Sequence, residues 1–328
     1  MVPAVNQEIA FSIVKRTSTT GVPMQILSDL EGCYGTAIND GGVVAGACGN
    51  YPTSPFAWFP DLGRIDLDFR GAAQDINNSG DVVGYRHVDS GGFRPFLWRR
   101  GARRLDLPTP GVAHAISDRG VVVGGTEDGF GNPSPYKWSR EGGFVLLEAD
   151  TALPRYFYDP LVAVDITNGG RIAGLAGFPW GERPVFWLPF DGFIDTSGPY
   201  GPWYDYMIVE AINERNEILA LVADPATDSS YVYVLSPKRG IISVAPGSHR
   251  RWPAGIDDQG VVAGTYQTEG GMPGGPTHAF VWNQGQTIDL GTLGGENSWA
   301  DAINERGTVL GRAQDERNNW HMVIWRTR

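Results

Sequence analysis

The stretch Ala37-Ile38-Asn39-Asp40-Gly41-Gly42-Val43-Val44-Ala45-Gly46 decides the fold. A small residue and an isoleucine are followed by a polar pair, a glycine and a short apolar run that ends in glycine. Two apolar segments this short, joined at Asp40-Gly41, read as a β-hairpin. The pattern returns around Ile76, Ile116, Ile166, Ile212, Ile256 and Ile303, at steps of 38, 40, 50, 46, 44 and 47 residues. A period of roughly 40–50 residues with strand-like content is the signature of a propeller blade.

Most units supply two further strands. One is aromatic and closes on tryptophan, as in Pro55-Phe56-Ala57-Trp58 and Pro95-Phe96-Leu97-Trp98; the other is short, as in Ile65-Asp66-Leu67 and Leu105-Asp106-Leu107. No helical periodicity is sustained. The expectation is an all-β, seven-bladed β-propeller with four-stranded blades, residues 1–328 forming a single domain. The last unit stops after Trp325. The N-terminus offers strand candidates in Phe11–Val14 and Met24–Leu30; the second reads as a fourth strand without a blade of its own, expected to complete that unit and close the ring, because an open sheet edge is an aggregation hazard.

These repeats resemble the HAF-repeat family of extracellular repeat proteins. The match is best from His278-Ala279-Phe280 through Asp289-Leu290-Gly291-Thr292-Leu293-Gly294-Gly295 to Ala302-Ile303-Asn304 and Gly311. The resemblance implies a propeller-like repeat and an exported protein. It transfers no catalytic residue.

The formal net charge is −11, which argues against a nucleic-acid partner, since phosphate binding needs a basic face. No apolar run is long enough to span a membrane. Met1–Ala10 lacks the basic-then-apolar pattern of a signal peptide, so a cytoplasmic protein and a mature exported form both fit. Continuing the Asp40-Gly41 hairpin outward places Cys33 opposite Cys48, within reach of a cross-strand disulfide. Such a bridge leans towards an oxidising, extracellular compartment; two buried thiols are the alternative.

Function is sought in what the repeat does not explain. Of 11 tryptophans, Trp180, Trp203, Trp252, Trp299 and Trp320 fall outside the repeat position. With strands alternating in direction, all five are placed in connections on one face. Tyr156, Tyr158, Tyr204 and Tyr206 join them in the two longest connections. An aromatic-lined ligand pocket on that face is one reading; loops packing their own aromatics over the channel mouth is the other.

Two residues before each repeat isoleucine stand Thr36, Gln74, His114, Val164, Glu210, Ala254 and Asp301; Asp75 and Asp165 stand one residue before. His114, Glu210 and Asp301 are the candidate acid–base groups, against the plainer reading of polar residues wetting a channel. His278 and His321 occupy repeat positions and read as structural. No spacing suggests a metal site, a phosphate-cradling loop or a nucleophile elbow, so no cofactor is expected. The favoured expectation is one small-molecule site, either a binding site or a cofactor-independent lyase, cyclase, isomerase or hydrolase. The alternatives are a sugar-binding propeller and a protein-interaction scaffold.

Overall fold

The computed structural model describes residues 14–51, 53–127, 133–147, 162–178, 181–188, 192–195, 207–224, 229–244, 251–268 and 275–328. All the regular structure among them is β-strand. Six antiparallel sheets of four strands follow one another along the chain. Their inner strands are Cys33–Ile38, Gly71–Ile76, Val112–Ile116, Val162–Ile166, Met207–Ile212 and Arg251–Ile256, and the sheets are numbered one to six in that order.

The remaining strands form a five-stranded sheet. It runs from Gly294–Ile303 through Thr308–Asp315 and Trp320–Arg326 to Pro23–Ile26 and Val14–Thr17. This corrects the expectation of seven equal four-stranded blades closed by a single N-terminal strand. The four-stranded blades number six, and the sheet shared by the two ends of the chain has five strands, two of them N-terminal. Met24 lies opposite Trp325 in it. Val14–Thr17 is exposed at all four positions, so no apolar alternation announces it in the sequence.

Successive inner strands pack side by side, and Gly294–Ile303 packs on Cys33–Ile38, so the sheets surround an axis. The apolar core lies between sheets. Ile38, Val44, Phe56 and Trp58 of sheet one meet Ala302, Leu310, Met322 and Ile324 of the five-stranded sheet. Ala37, Ala45 and Ala57, from the other face of sheet one, meet Ala73, Ile76, Val82, Phe96 and Trp98 of sheet two. Side chains that alternate along a strand therefore serve two neighbours in turn, which explains why these strands are apolar at nearly every position.

The turn after each repeat isoleucine is built by its polar residue. In sheet one the Asn39 N–H donates to the Val43 carbonyl at 3.0 Å, and Asn39 Oδ1 accepts the Val43 N–H at 2.9 Å. Gly42 adopts φ 76°, and Asn216 takes the corresponding left-handed place in sheet five at φ 63°; asparagine is among the few side chains that tolerate it. Cys33 and Cys48 are cross-strand partners and form a disulfide.

Candidate functional site

Every inner strand carries one extra residue at the same place. The ladder shifts at Thr36, Gln74, His114, Val164, Glu210, Ala254 and Asp301, each unpaired between two residues that do pair with the second strand. These are β-bulges, which re-aim a side chain out of the ladder. In six of the seven sheets the residue on the second strand opposite the bulge is the repeat glycine, and in sheet five, beside Glu210, it is Ala220. A Cβ on Gly46 would stand 2.2 Å from the Tyr34 carbonyl oxygen, and one on Gly124 would stand 2.0 Å from that of Val112. The glycines that mark the repeat thus give the bulge its room.

Six of these bulge residues, Thr36 through Ala254 in chain order, line a cavity of about 290 Å³ on the axis. His114 and Glu210 are its titratable members at that level, and neither has a hydrogen-bond partner among the described residues. Burial pushes the Glu210 carboxyl up to about 7 and pushes the His114 imidazole down. Asp301 does not join them. It turns to Arg312, whose guanidinium donates to its Oδ1 at 3.2 Å. Burial still raises its carboxyl to about 6 against that ion pair.

Two further wall residues have a structural task. Asp75 Oδ1 accepts the Ile76 N–H of its own strand at 2.7 Å, and Oδ2 accepts the Ile116 N–H of sheet three at 2.8 Å. Asp165 joins Ile166 to Ile212 of sheet five in the same way. Burial raises these carboxyls to about 6 and about 7, while the two N–H donors oppose the rise.

At the turn end, the cavity mouth is a ring of side chains that accept hydrogen bonds from neighbouring sheets. The Asp40 N–H donates to Asn78 Oδ1 at 2.9 Å, the Asn78 N–H to Asp118 Oδ1 at 2.8 Å, and the Asp118 N–H to Asn168 Oδ1 at 2.7 Å. Asn168 continues the series to Glu214, Glu214 to Asp258 at 2.8 Å, and Asp258 to Glu305 at 2.6 Å. Burial, then the charges of Asp258, Asp257 and Asp40, raise Glu305 to about 8.

The aromatic pocket expected on the opposite face is described only in part. Trp180, Tyr156, Tyr158, Trp203, Tyr204 and Tyr206 lie outside the described residues. Trp252 and Trp299 sit on inner strands rather than in connections. Their rings pack against each other at 5.0 Å between centroids, and neither lines the axial cavity. Sequence reasoning missed a cluster on sheets one and two, where His87 packs edge-on against Tyr51 at 5.3 Å and Phe93 at 5.1 Å. Tyr51 follows the second strand of sheet one, and Tyr85 and His87 lie on that of sheet two, but no spacing shows that the three come together. His278 Nδ1 donates to Asp289 Oδ2 (2.7 Å), which also accepts the Tyr266 hydroxyl. In sheet two the equivalent aspartate, Asp106, takes Arg86 instead, so the position ties second and fourth strands together.

Among the described residues no group of three or more His, Cys, Asp or Glu side chains is placed to hold a metal ion. No family model matches the chain, and no curated protein matches it. Its fold is that of several solved propellers. Puromycin hydrolase is 14% identical with a TM-score of 0.61 over 92% of this chain and 54% of that one, so the chain spans about half of that enzyme. An oligogalacturonate lyase in complex with manganese is 9% identical (TM-score 0.54), with 96% of each chain covered. A streptogramin B lyase is 11% identical (TM-score 0.52), with 92% of this chain and 96% of that one covered. At these identities the likeness establishes a β-propeller. Propellers of this kind include lyases and hydrolases.

Proposed function

We propose that the protein holds one small molecule in its axial cavity and exchanges a proton with it through Glu210 and His114. The observation that carries this reading is the inequality of equivalent positions. The same bulge presents threonine, glutamine, histidine, valine, glutamate and alanine to one cavity. A structural requirement imposed by the repeat would call for one kind of residue at all of them. An unpartnered carboxyl held up to about 7 is poised to give or take a proton near neutral pH. Structural neighbours of nearly the same length include a streptogramin B lyase and an oligogalacturonate lyase, which favours an acid–base reaction on a small molecule. The Cys33–Cys48 disulfide supports an extracellular setting.

The test is a library of sugars, amines and aromatic metabolites, read by thermal shift and by mass spectrometry of the small molecules. A stabilising compound that is converted by the wild type, but not by Glu210→Gln or His114→Asn, supports the proposal. Conversion that survives both substitutions refutes the assignment of these two residues.

A further inference from the structure

The axial cavity has a one-sided charge. Asp75, Asp165 and Glu210 stand in its wall, and Asp40, Asp118, Glu214, Asp258 and Glu305 stand in the turn ring at its mouth; burial lifts the three wall groups to about 6–7 and Glu305 to about 8, so these four hold a proton over part of the neutral range. No lysine or arginine is among its lining residues, and His114 is biased towards its neutral form. Arginines do stand beside these turns, with Arg119 and Arg306 following Asp118 and Glu305 in the chain, but none lines the cavity. Arg215 donates to the Asp258 carbonyl at 2.6 Å, Arg239 to Glu217 at 2.6 Å, and Arg328 is paired with Asp257. A cleft lined by one sign of charge with low-dielectric walls focuses its field and concentrates counter-ions.

We infer that the ligand of this cavity is an organic cation, a small amine that enters through the acidic turn ring. The inference rests on the axial cavity being the binding site and adds the class of ligand. Three observations support it together. The cavity is large enough for a short aliphatic chain. Its mouth carboxyl groups are spread around a ring, and those of Asp118, Glu214, Asp258 and Glu305 are fixed by backbone N–H donors, so they favour a diffuse, extended cation over a compact metal ion. The unpartnered Glu210 offers an ammonium group the acceptor it lacks elsewhere in the wall.

The ring also supplies its own control. Asn78 and Asn168 accept the same backbone N–H that Asp118 and Asp258 accept in other sheets. Changing the carboxylates to amides therefore removes charge and keeps the acceptor. The experiment is calorimetric titration of the full chain at low ionic strength with cadaverine, with pentanediol and glutarate as neutral and anionic counterparts, and with calcium chloride. The NMR signals of the His114 ring report whether the cavity is the place of binding. Cadaverine is expected to bind and move the His114 signals while pentanediol and glutarate do not. Glu214→Gln/Asp258→Asn should keep the melting temperature and weaken cadaverine several-fold, whereas Asp118 is left in place because its Oδ2 accepts the Asn78 and Asn168 amides. Tighter binding of calcium than of cadaverine overturns the organic-cation assignment, as does cadaverine binding that the double variant leaves unchanged. If glutarate, or a neutral or acidic library compound, moves the His114 signals where cadaverine does not, the ligand class is refuted while the cavity remains the site. If cadaverine and the whole library leave those signals still, the site and the ligand class fall together.

Discussion

Asp165 holds two sheets by one carboxylate: Oδ1 accepts the N–H of its own neighbour Ile166, and Oδ2 accepts the N–H of Ile212 from the next inner strand at 2.8 Å. Other sheets manage with alanine or glycine at that position, as at Ala37, Ala115 and Gly255. The carboxyl is lifted from the ordinary aspartate range to about 7 by burial. The folded state therefore holds a proton that the unfolded chain releases near pH 4. Stability should fall as pH rises from about 4 to about 7, by up to about 1.4 kcal/mol per unit from this group, and level off above. Urea titrations across that range should show the slope, and Asp165→Ala should lessen it, the remainder coming from the raised carboxyls of Asp75, Glu210, Asp301 and Glu305. An unchanged slope in the variant would assign the pH dependence to other groups.

Gly124 and Gly125 are adjacent and should behave oppositely. A methyl group on Gly124 meets the Val112 carbonyl oxygen at 2.0 Å, whereas one on Gly125 finds only His114 Nε2 at 3.9 Å. Gly124→Ala is expected to cost about 1–3 kcal/mol through forced backbone movement. Gly125→Ala should be nearly neutral for stability. Denaturant midpoints of the two variants decide the matter, and equal midpoints would remove the steric account of the repeat glycine.

The Cys33–Cys48 bridge closes a separation of 15 residues, for which loop entropy gives about 3 kcal/mol. The hairpin already keeps these residues near each other, so a smaller effect of about 2 kcal/mol is expected from Cys33→Ala/Cys48→Ala. Thermal melts with and without reductant should reproduce the difference in the wild type and show none in the variant.

Glu210 predicts the pH profile of the site. The carboxyl is neutral below about 7 and charged above it, so affinity for an ammonium ligand should rise through that pH. In Glu210→Gln the rise should disappear. Titration of cadaverine at several pH values checks both statements.

The fold was legible where one residue repeats one task. The isoleucine spacing located every inner strand because each isoleucine is packed between sheets, as Ile38 is against Leu310. The Cys33–Cys48 pairing was reached through a register that differs from the observed one near the turn. Ile38 pairs with Val44 rather than Val43, and the bulge at Thr36 absorbs the extra residue before the cysteines are reached. The bulges themselves leave no local signal other than the glycine opposite most of them, and the Glu210 bulge forms opposite Ala220 without it. The Asp301 partner is Arg312 from the adjacent strand, a pairing that depends on register and that no spacing encodes. Trp299 was placed in a connection because Gly294–Ile303 extends for 10 residues, longer than the inner strands of the four-stranded sheets.

The backbone hydrogen bonds of the turn ring run in one direction: a backbone N–H of each four-stranded sheet meets a side-chain oxygen of the sheet that follows it in the chain, from Asp40 round to Glu305. Sheets two to six are therefore donors to one neighbour and acceptors from the other, like tiles with a tongue on one edge and a groove on the opposite edge, while the closing junction is made by the Asn304 amide on the Asn39 carbonyl. A duplicated sheet inserted between two of the four-stranded sheets would find its tongue and its groove already matched. A sheet reversed or exchanged for one without the polar pair would interrupt the circuit at two junctions. Lineages built this way can lengthen or be circularly permuted with little loss, while the charge carried at each groove drifts on its own and resets what the mouth attracts.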